Sequence, residues 1–166
     1  MKELVDIAGR IAAILVERKE RVVVAESSAG GLIAASLLAV PGASRYFLGG
    51  SVVYTRQARR LLTGIPQELP TGLRSSTEAY AFMLASDSRE RFDADWGLAE
   101  TGAAGPRNSR GLGNIYGDDA GHTCIAVAGL IEKTATLETG SDDRLANMHA
   151  FAAAALNLFL TTLASR

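Results

Sequence analysis

The chain has 166 residues, 48% of them hydrophobic and 21% charged, with a formal net charge of −1. That length suits one domain with a substantial core, and the balanced charge gives no electrostatic case for a nucleic-acid or membrane partner. The single cysteine, Cys124, excludes an intramolecular disulfide and fits a reducing compartment, so a cytoplasmic location is expected.

The opening Met1-Lys2-Glu3-Leu4-Val5-Asp6 puts charges where a signal peptide needs its apolar core. No uninterrupted apolar run reaches the ~18 residues of a transmembrane helix. Residues 3–18 then set Leu4, Ile7, Ala8, Ile11, Ile14 and Leu15 at helical spacing, which predicts an amphipathic helix. Val22 to Ala25 is a continuous apolar run, the pattern of a strand covered on both faces. Ala29 to Val40 reads as a buried helix stopped by Pro41-Gly42. Tyr46-Phe47 and Ser51 to Tyr54 are strand-like, and Gly49-Gly50 between them predicts a bulge or a close backbone approach. Gln57 to Leu62 reads as a short basic helix, and Ser76 or Thr77 before Glu78 starts a longer one ending near Phe92. Trp96 to Ala99 predicts a short strand, and a polar, glycine-rich loop runs from Arg107 to about Ala120. His122 to Leu130 is the clearest strand, with Thr134 to Glu138 as its hairpin partner. Leu145 to Leu163 closes as an alanine-rich helix with Asp142 and Asp143 at its positive end. The alternation predicts an α/β fold: a single three-layer α/β/α domain over residues 1–166, with a mostly parallel sheet and one antiparallel hairpin.

Two loops share a composition. Glu26-Ser27-Ser28-Ala29-Gly30-Gly31 and Glu100-Thr101-Gly102-Ala103-Ala104-Gly105-Pro106 each follow an apolar strand and open with a carboxylate and a hydroxyl. Small residues let a ligand approach the main chain, whose N–H groups can hold a phosphate or an oxyanion. Caps and turns use the same residue types, so one such loop alone would be ordinary. Tyr54-Thr55-Arg56-Gln57-Ala58-Arg59-Arg60 adds guanidinium groups suited to carboxylate or phosphate, although Arg60 reads as a solvated position. Arg144 is either another anion ligand or a partner of the preceding aspartates. His122 and His149 have no partners at metal-ligand spacing, and Cys124 reads as a core thiol.

The motifs together resemble the CinA C-terminal domain family, also called the PncC or nicotinamide mononucleotide deamidase family. Ala25-Glu26-Ser27-Ser28-Ala29-Gly30-Gly31 is similar to the family's A-E-S-C-T-G-G, and Val40-Pro41-Gly42-Ala43-Ser44 to its V-P-G-S/A-S. Gly50 to Arg59 follows G-x-V-x-Y-S-N-x-A-K in part, Thr101 to Pro106 follows T-G-I-A-G-P, and Gly121 to Ala128 resembles G-T-V-x-I-A-V-A. The resemblance implies hydrolysis of the nicotinamide amide of nicotinamide mononucleotide, without metal or cofactor. It implies Ser27 as nucleophile and turn N–H groups as oxyanion donors. Tyr54 would line the site, Arg59 would stand at the family's general base, and Arg144 would meet the substrate phosphate. Glu26, Ser28, Gly30, Gly31, Thr101, Gly102, Ala103 and Gly105 complete the expected binding residues.

The chain departs from that pattern at the chemistry. Arg59 replaces a lysine, and a guanidinium, which stays protonated far above neutrality, is no base near pH 7. Ser28-Ala29 replaces cysteine-threonine, Arg56 replaces an asparagine, and residues 107–117 lack the family's K-P-V-G stretch. The expected partner is a small nucleotide. The expected activity is a serine amidohydrolase, the alternatives being a homologue that binds a phosphate-bearing metabolite without hydrolysing it and an amidohydrolase for a different amide. The alanine-rich faces of 29–40 and 145–163 suit either self-association into a homo-oligomer or packing within one subunit.

Overall fold

The computed structural model describes residues 1–66, 68–106 and 117–166. Most of the predicted 107–120 loop lies outside them. Five strands, β1 (Val22–Glu26), β2 (Phe47–Val52), β3 (Trp96–Ala103), β4 (His122–Ala128) and β5 (Lys133–Glu138), form one sheet in the order β2-β1-β3-β4-β5. β1 pairs in parallel with β2 and β3, whereas β3–β4 and β4–β5 are antiparallel. The expected α/β architecture is present as a mixed sheet: β4 alone runs against the common direction, so the antiparallel part takes in both of its neighbours.

Side chains alternate across the sheet, and the two faces differ in bulk. Val22, Val24, Trp96, Leu98, Ile125 and Val127 face the larger core, closed by α1 (Lys2–Arg18), α2 (Leu32–Leu38) and α5 (Arg144–Ala164). Ala25, Ala99, Cys124, Ala126 and Ala128 face α4 (Glu78–Phe92) on the other side. These small residues let α4 settle onto the backbone. A Cβ at Gly97 would lie 2.1 Å from the Ala85 carbonyl oxygen. α5 is long and apolar enough to cross a membrane by length and composition, but Phe151, Ala152, Ala155, Leu156, Phe159 and Leu163 bury one face of it in the larger core.

Three local differences from the sequence reading bear on function. The helix expected from Ala29 starts at Leu32, because Gly30 and Gly31 hold left-handed φ values of 68° and 100° and form a turn instead. The two strand-like pieces around Gly49-Gly50 are one strand, β2. Its register slips where Val22 and Val23 face Phe47 and Gly49, and a Cβ at Gly50 would meet that of Ala34 at 2.8 Å, so the bulge and the close approach both occur. β3 runs on to Ala103 rather than ending at Ala99. Its last partner in β1 is Glu26, opposite Glu100, and Thr101 to Ala103 continue beside β4 alone. The space that β1 leaves there is where the candidate site forms, with α3 (Arg56–Leu62) following β2 along its rim.

Candidate active site

A cavity of about 420 Å³ opens at the carboxyl ends of β1 and β3. Its floor is Ser27 and Ser28 with the overhanging end of β3, from Thr101 through Gly102, Ala103 and Ala104 to Gly105 and Pro106. Val53 to Arg56, with Arg59 of α3, form one wall, and Ser75, Ser76 and Tyr80 another. Arg144 stands at the mouth. Among the described residues the lining holds three guanidinium groups, from Arg56, Arg59 and Arg144, and no carboxylate, so the cavity favours an anion.

The carboxylates lie underneath. Glu26 and Glu100 are register partners on the larger-core face of the sheet, and both are fully buried. Glu26 accepts hydrogen bonds from the N–H groups of Ile33 (3.1 Å) and Ala34 (3.0 Å), donors that the first turn of α2 would otherwise leave unpaired. Glu100 Oε2 accepts from the N–H groups of Ser27 (3.1 Å) and Ala29 (2.8 Å). Its Oε1 accepts from Thr123 Oγ1 (2.8 Å) and, in a short bond, from Ser28 Oγ. Burial pushes both carboxyls above the ordinary carboxylate range despite these donors, and for Glu26 the neighbouring Glu100 adds to the rise.

This arrangement corrects the expectation that the turn as a whole offers its N–H groups to a ligand. Ser27 and Ala29 donate to Glu100, Gly30 donates to Ser27 O at 3.2 Å, and Gly31 donates to Glu26. Ser28 N–H alone in the turn donates to no described residue, and Ser28 lines the cavity.

Tyr54 and Arg144 meet across the mouth. Arg144 Nη2 donates to the Tyr54 hydroxyl at 3.2 Å, and the guanidinium lies 5.9 Å from the ring centroid. Asp143 does not take this arginine; it caps α5, accepting from the N–H groups of Leu145 and Ala146 at 3.0 Å each.

A family model for the CinA C-terminal domain matches residues 4–163. The chain belongs to the CinA C-terminal domain family. A CinA-like protein of Synechocystis is 40% identical over 66% of this chain, and one of Anaeromyxobacter is 37% identical over 89% of it. Those alignments cover only 27% and 35% of the relatives, so the chain spans about a quarter to a third of their length. Among solved structures, a competence/damage-inducible protein of Agrobacterium tumefaciens superposes with a TM-score of 0.85 at 27% identity, over 97% of this chain and 95% of that one. A CinA superfamily protein of Escherichia coli gives 0.84 at 25% identity, over 95% and 90%.

Set on this CinA-family fold, Ser27, Ser28, Tyr54, Arg59, Thr101, Gly102, Ala103, Gly105 and Arg144 all line the cavity. Glu26, Gly30 and Gly31 do not line it. Glu26 is turned under α2, Gly31 caps that helix, and Gly30 makes room for Met148, whose Cε would lie 2.6 Å from a Cβ there. Arg60 is exposed, as its solvated reading required, and Cys124 is a buried thiol that burial pushes up. Glu100 and the Ser75–Ser76 wall were missing from the expected set. Glu100 had a signal, because it opens its loop as Glu26 opens the other. Ser76 had none beyond marking a helix start.

Proposed function

We propose that this CinA-family chain is a metal-independent serine amidohydrolase, converting the amide of nicotinamide mononucleotide or a related pyridine nucleotide to the acid and ammonia. The observation that carries this reading is the meeting of Ser27 with three arginines in one cavity that no carboxylate lines among the described residues. In this mechanism Ser27 Oγ attacks the amide carbonyl carbon, and Ser28 N–H receives the oxygen as negative charge develops on it. The nitrogen leaves as ammonia once protonated, and water then hydrolyses the acyl ester to free Ser27. Arg144 and Arg56 serve the substrate phosphate through charge-assisted hydrogen bonds. Glu26 is committed to α2, which leaves Tyr54 or a substrate-bound water to take the Ser27 proton.

The test is ammonia release from nicotinamide mononucleotide by the wild type and by Ser27→Ala, beside a relative that carries lysine at the Arg59 position. Release by the wild type and none by the variant is the expected result. No release where the relative is active would overturn the reaction.

The buried Arg59 favours a second reading, in which the cavity binds a phosphate-bearing metabolite without hydrolysis. Lysine-to-arginine replacement keeps the charge and removes the basicity. Turnover that appears only in Arg59→Lys would select this reading. Calorimetry without heat for any pyridine or adenine nucleotide would reject both.

A further inference from the structure

His122 opens β4, and both of its ring nitrogens meet acceptors. Nδ1 is bonded to the Glu138 carboxylate on β5, and Nε2 lies 3.0 Å from the Ser76 carbonyl oxygen. A neutral imidazole carries one N–H, so the two bonds exist together only in the imidazolium. Ser76 is itself unusual. It is buried in the cavity wall at a left-handed φ of 58°, a conformation that a serine keeps only where its surroundings fix it. Its N–H donates to Thr101 Oγ1 at 3.3 Å, so the peptide groups on both sides of its Cα are anchored, one to β3 and one to His122. Two residues earlier, Arg74 donates to both oxygens of Asp118, at 2.7 and 2.8 Å.

We propose that His122 in its imidazolium form is a positioning residue that clamps Ser75–Ser76 into the cavity wall, linking the shape of the site to one proton. The clamp acts on the cavity wall whichever reaction occurs there.

The charged and titratable groups around the ring set the direction of the linkage. Glu138 faces it from β5, Asp118 lies 4.0 Å from Nε2, and the Cys124 sulfur lies 3.6 Å from the same nitrogen. Glu78 of α4 is held nearby on β5 by the hydroxyls of Thr134 and Thr136, which lower its pKa and keep it ionised, and Arg74 is paired with Asp118. Partial burial opposes a charge on His122. The Glu138 bond, the Ser76 carbonyl and the negative charges of Glu138 and Asp118 outweigh it, raising the His122 pKa above its ordinary value. Burial also raises the Cys124 thiol, so that group stays neutral as the histidine titrates. The clamp is therefore complete below pH ~6.5 and is lost as pH rises through the raised value. The carboxylate retains the remaining proton on Nδ1 through the stronger, charge-assisted bond. Nε2 then presents a lone pair to the Ser76 carbonyl, and the wall is released.

Nuclear magnetic resonance of the intact ¹⁵N-labelled chain, from about pH 5.5 to about pH 9.5, reads this directly. His122→Gln identifies the His122 signals against those of His149. Both His122 nitrogens should be protonated at the acid end, and the Ser76 amide should move with the same midpoint. Glu138→Gln should lower that midpoint by about one unit or more. It also keeps the test open should His122→Gln fold poorly. A Ser76 amide that ignores the His122 titration, or a midpoint unmoved in Glu138→Gln, overturns the clamp. Saturating nicotinamide mononucleotide should raise the midpoint, and a protein that releases ammonia with the midpoint unshifted breaks the link to the ligand. A protein that shows the Ser76 titration but releases no ammonia keeps the clamp and loses the proposed reaction.

Discussion

Glu100 offers the sharpest test of how the turn around Ser27 is held, through Glu100→Ala compared with Glu100→Gln. Both substitutions remove the same fully buried titratable group, so the difference between them isolates the side-chain oxygen's role as acceptor. The glutamine oxygen can face the N–H groups of Ser27 and Ala29, while its amide donates to the hydroxyls of Ser28 and Thr123, which can rotate to accept. With alanine, the hydroxyls can turn elsewhere, Thr123 already lying 3.3 Å from the Thr101 carbonyl oxygen. Ser27 N–H keeps its second acceptor, the Glu100 main-chain oxygen at 3.1 Å. Ala29 N–H has no other acceptor among the described residues. That orphaned donor costs about 1–3 kcal/mol and the vacated volume adds roughly another, so the alanine variant should fall below the glutamine variant by about 2–4 kcal/mol. Urea unfolding followed by circular dichroism measures this as a lower midpoint at an unchanged slope. A difference within about 0.5 kcal/mol would show that Glu100 does not organise the turn. The same denaturation series has a pH arm. Because the folded-state pKa is raised, the folded protein holds the Glu100 proton more tightly than the unfolded chain. The associated stability is full below the unfolded carboxylate value and is lost as pH rises through the folded one. Wild-type stability should therefore decline over that interval, and Glu100→Gln should flatten the decline while Glu26 leaves a residual slope.

Three further outcomes are expected. Gly97→Val drives a Cβ toward the Ala85 carbonyl, a main-chain atom that cannot swing aside, and should cost at least about 3 kcal/mol, seen as a fall in melting temperature. Arg144→Ala should weaken nucleotide binding in calorimetry by about tenfold or more, the scale of one charge-assisted hydrogen bond, whereas Arg60→Ala on the exposed face should leave it unchanged. Asp143→Ala removes the acceptor for two N–H groups at the start of α5 and should destabilise the chain by about 1 kcal/mol in urea unfolding.

The elements were readable in the sequence because each carries a strong local pattern: the helical spacing of Leu4 to Leu15, the apolar run Val22 to Ala25, the glycine pair in β2. The site was readable as a set of loops because small residues cluster at strand ends. The use of the turn's donors was not. Whether Ser27 and Ala29 offer their N–H groups to a ligand depends on Glu100, about seventy residues away in sequence and brought alongside by the parallel pairing of β1 and β3. The Ser75–Ser76 wall was hidden for the same reason, since its conformation is imposed by Thr101 and His122 from two other strands. The late start of α2 followed from glycines that the helical pattern of the following residues had masked.

The unequal faces of the sheet bear on how the site could change over time. α4 rests on β3 main chain to main chain at Gly97, and the Ser75–Ser76 segment leads directly into that helix. The helix behind one wall of the cavity therefore takes its bearing from a backbone contact that side-chain drift leaves in place, while Thr101 and His122 set the segment that leads into it. The opposite wall rides on α3, whose Leu61 and Leu62 are exposed to solvent rather than locked into the core. Divergence in ligand choice should accumulate on the α3 side, with the α4 side serving as the fixed reference against which it is measured.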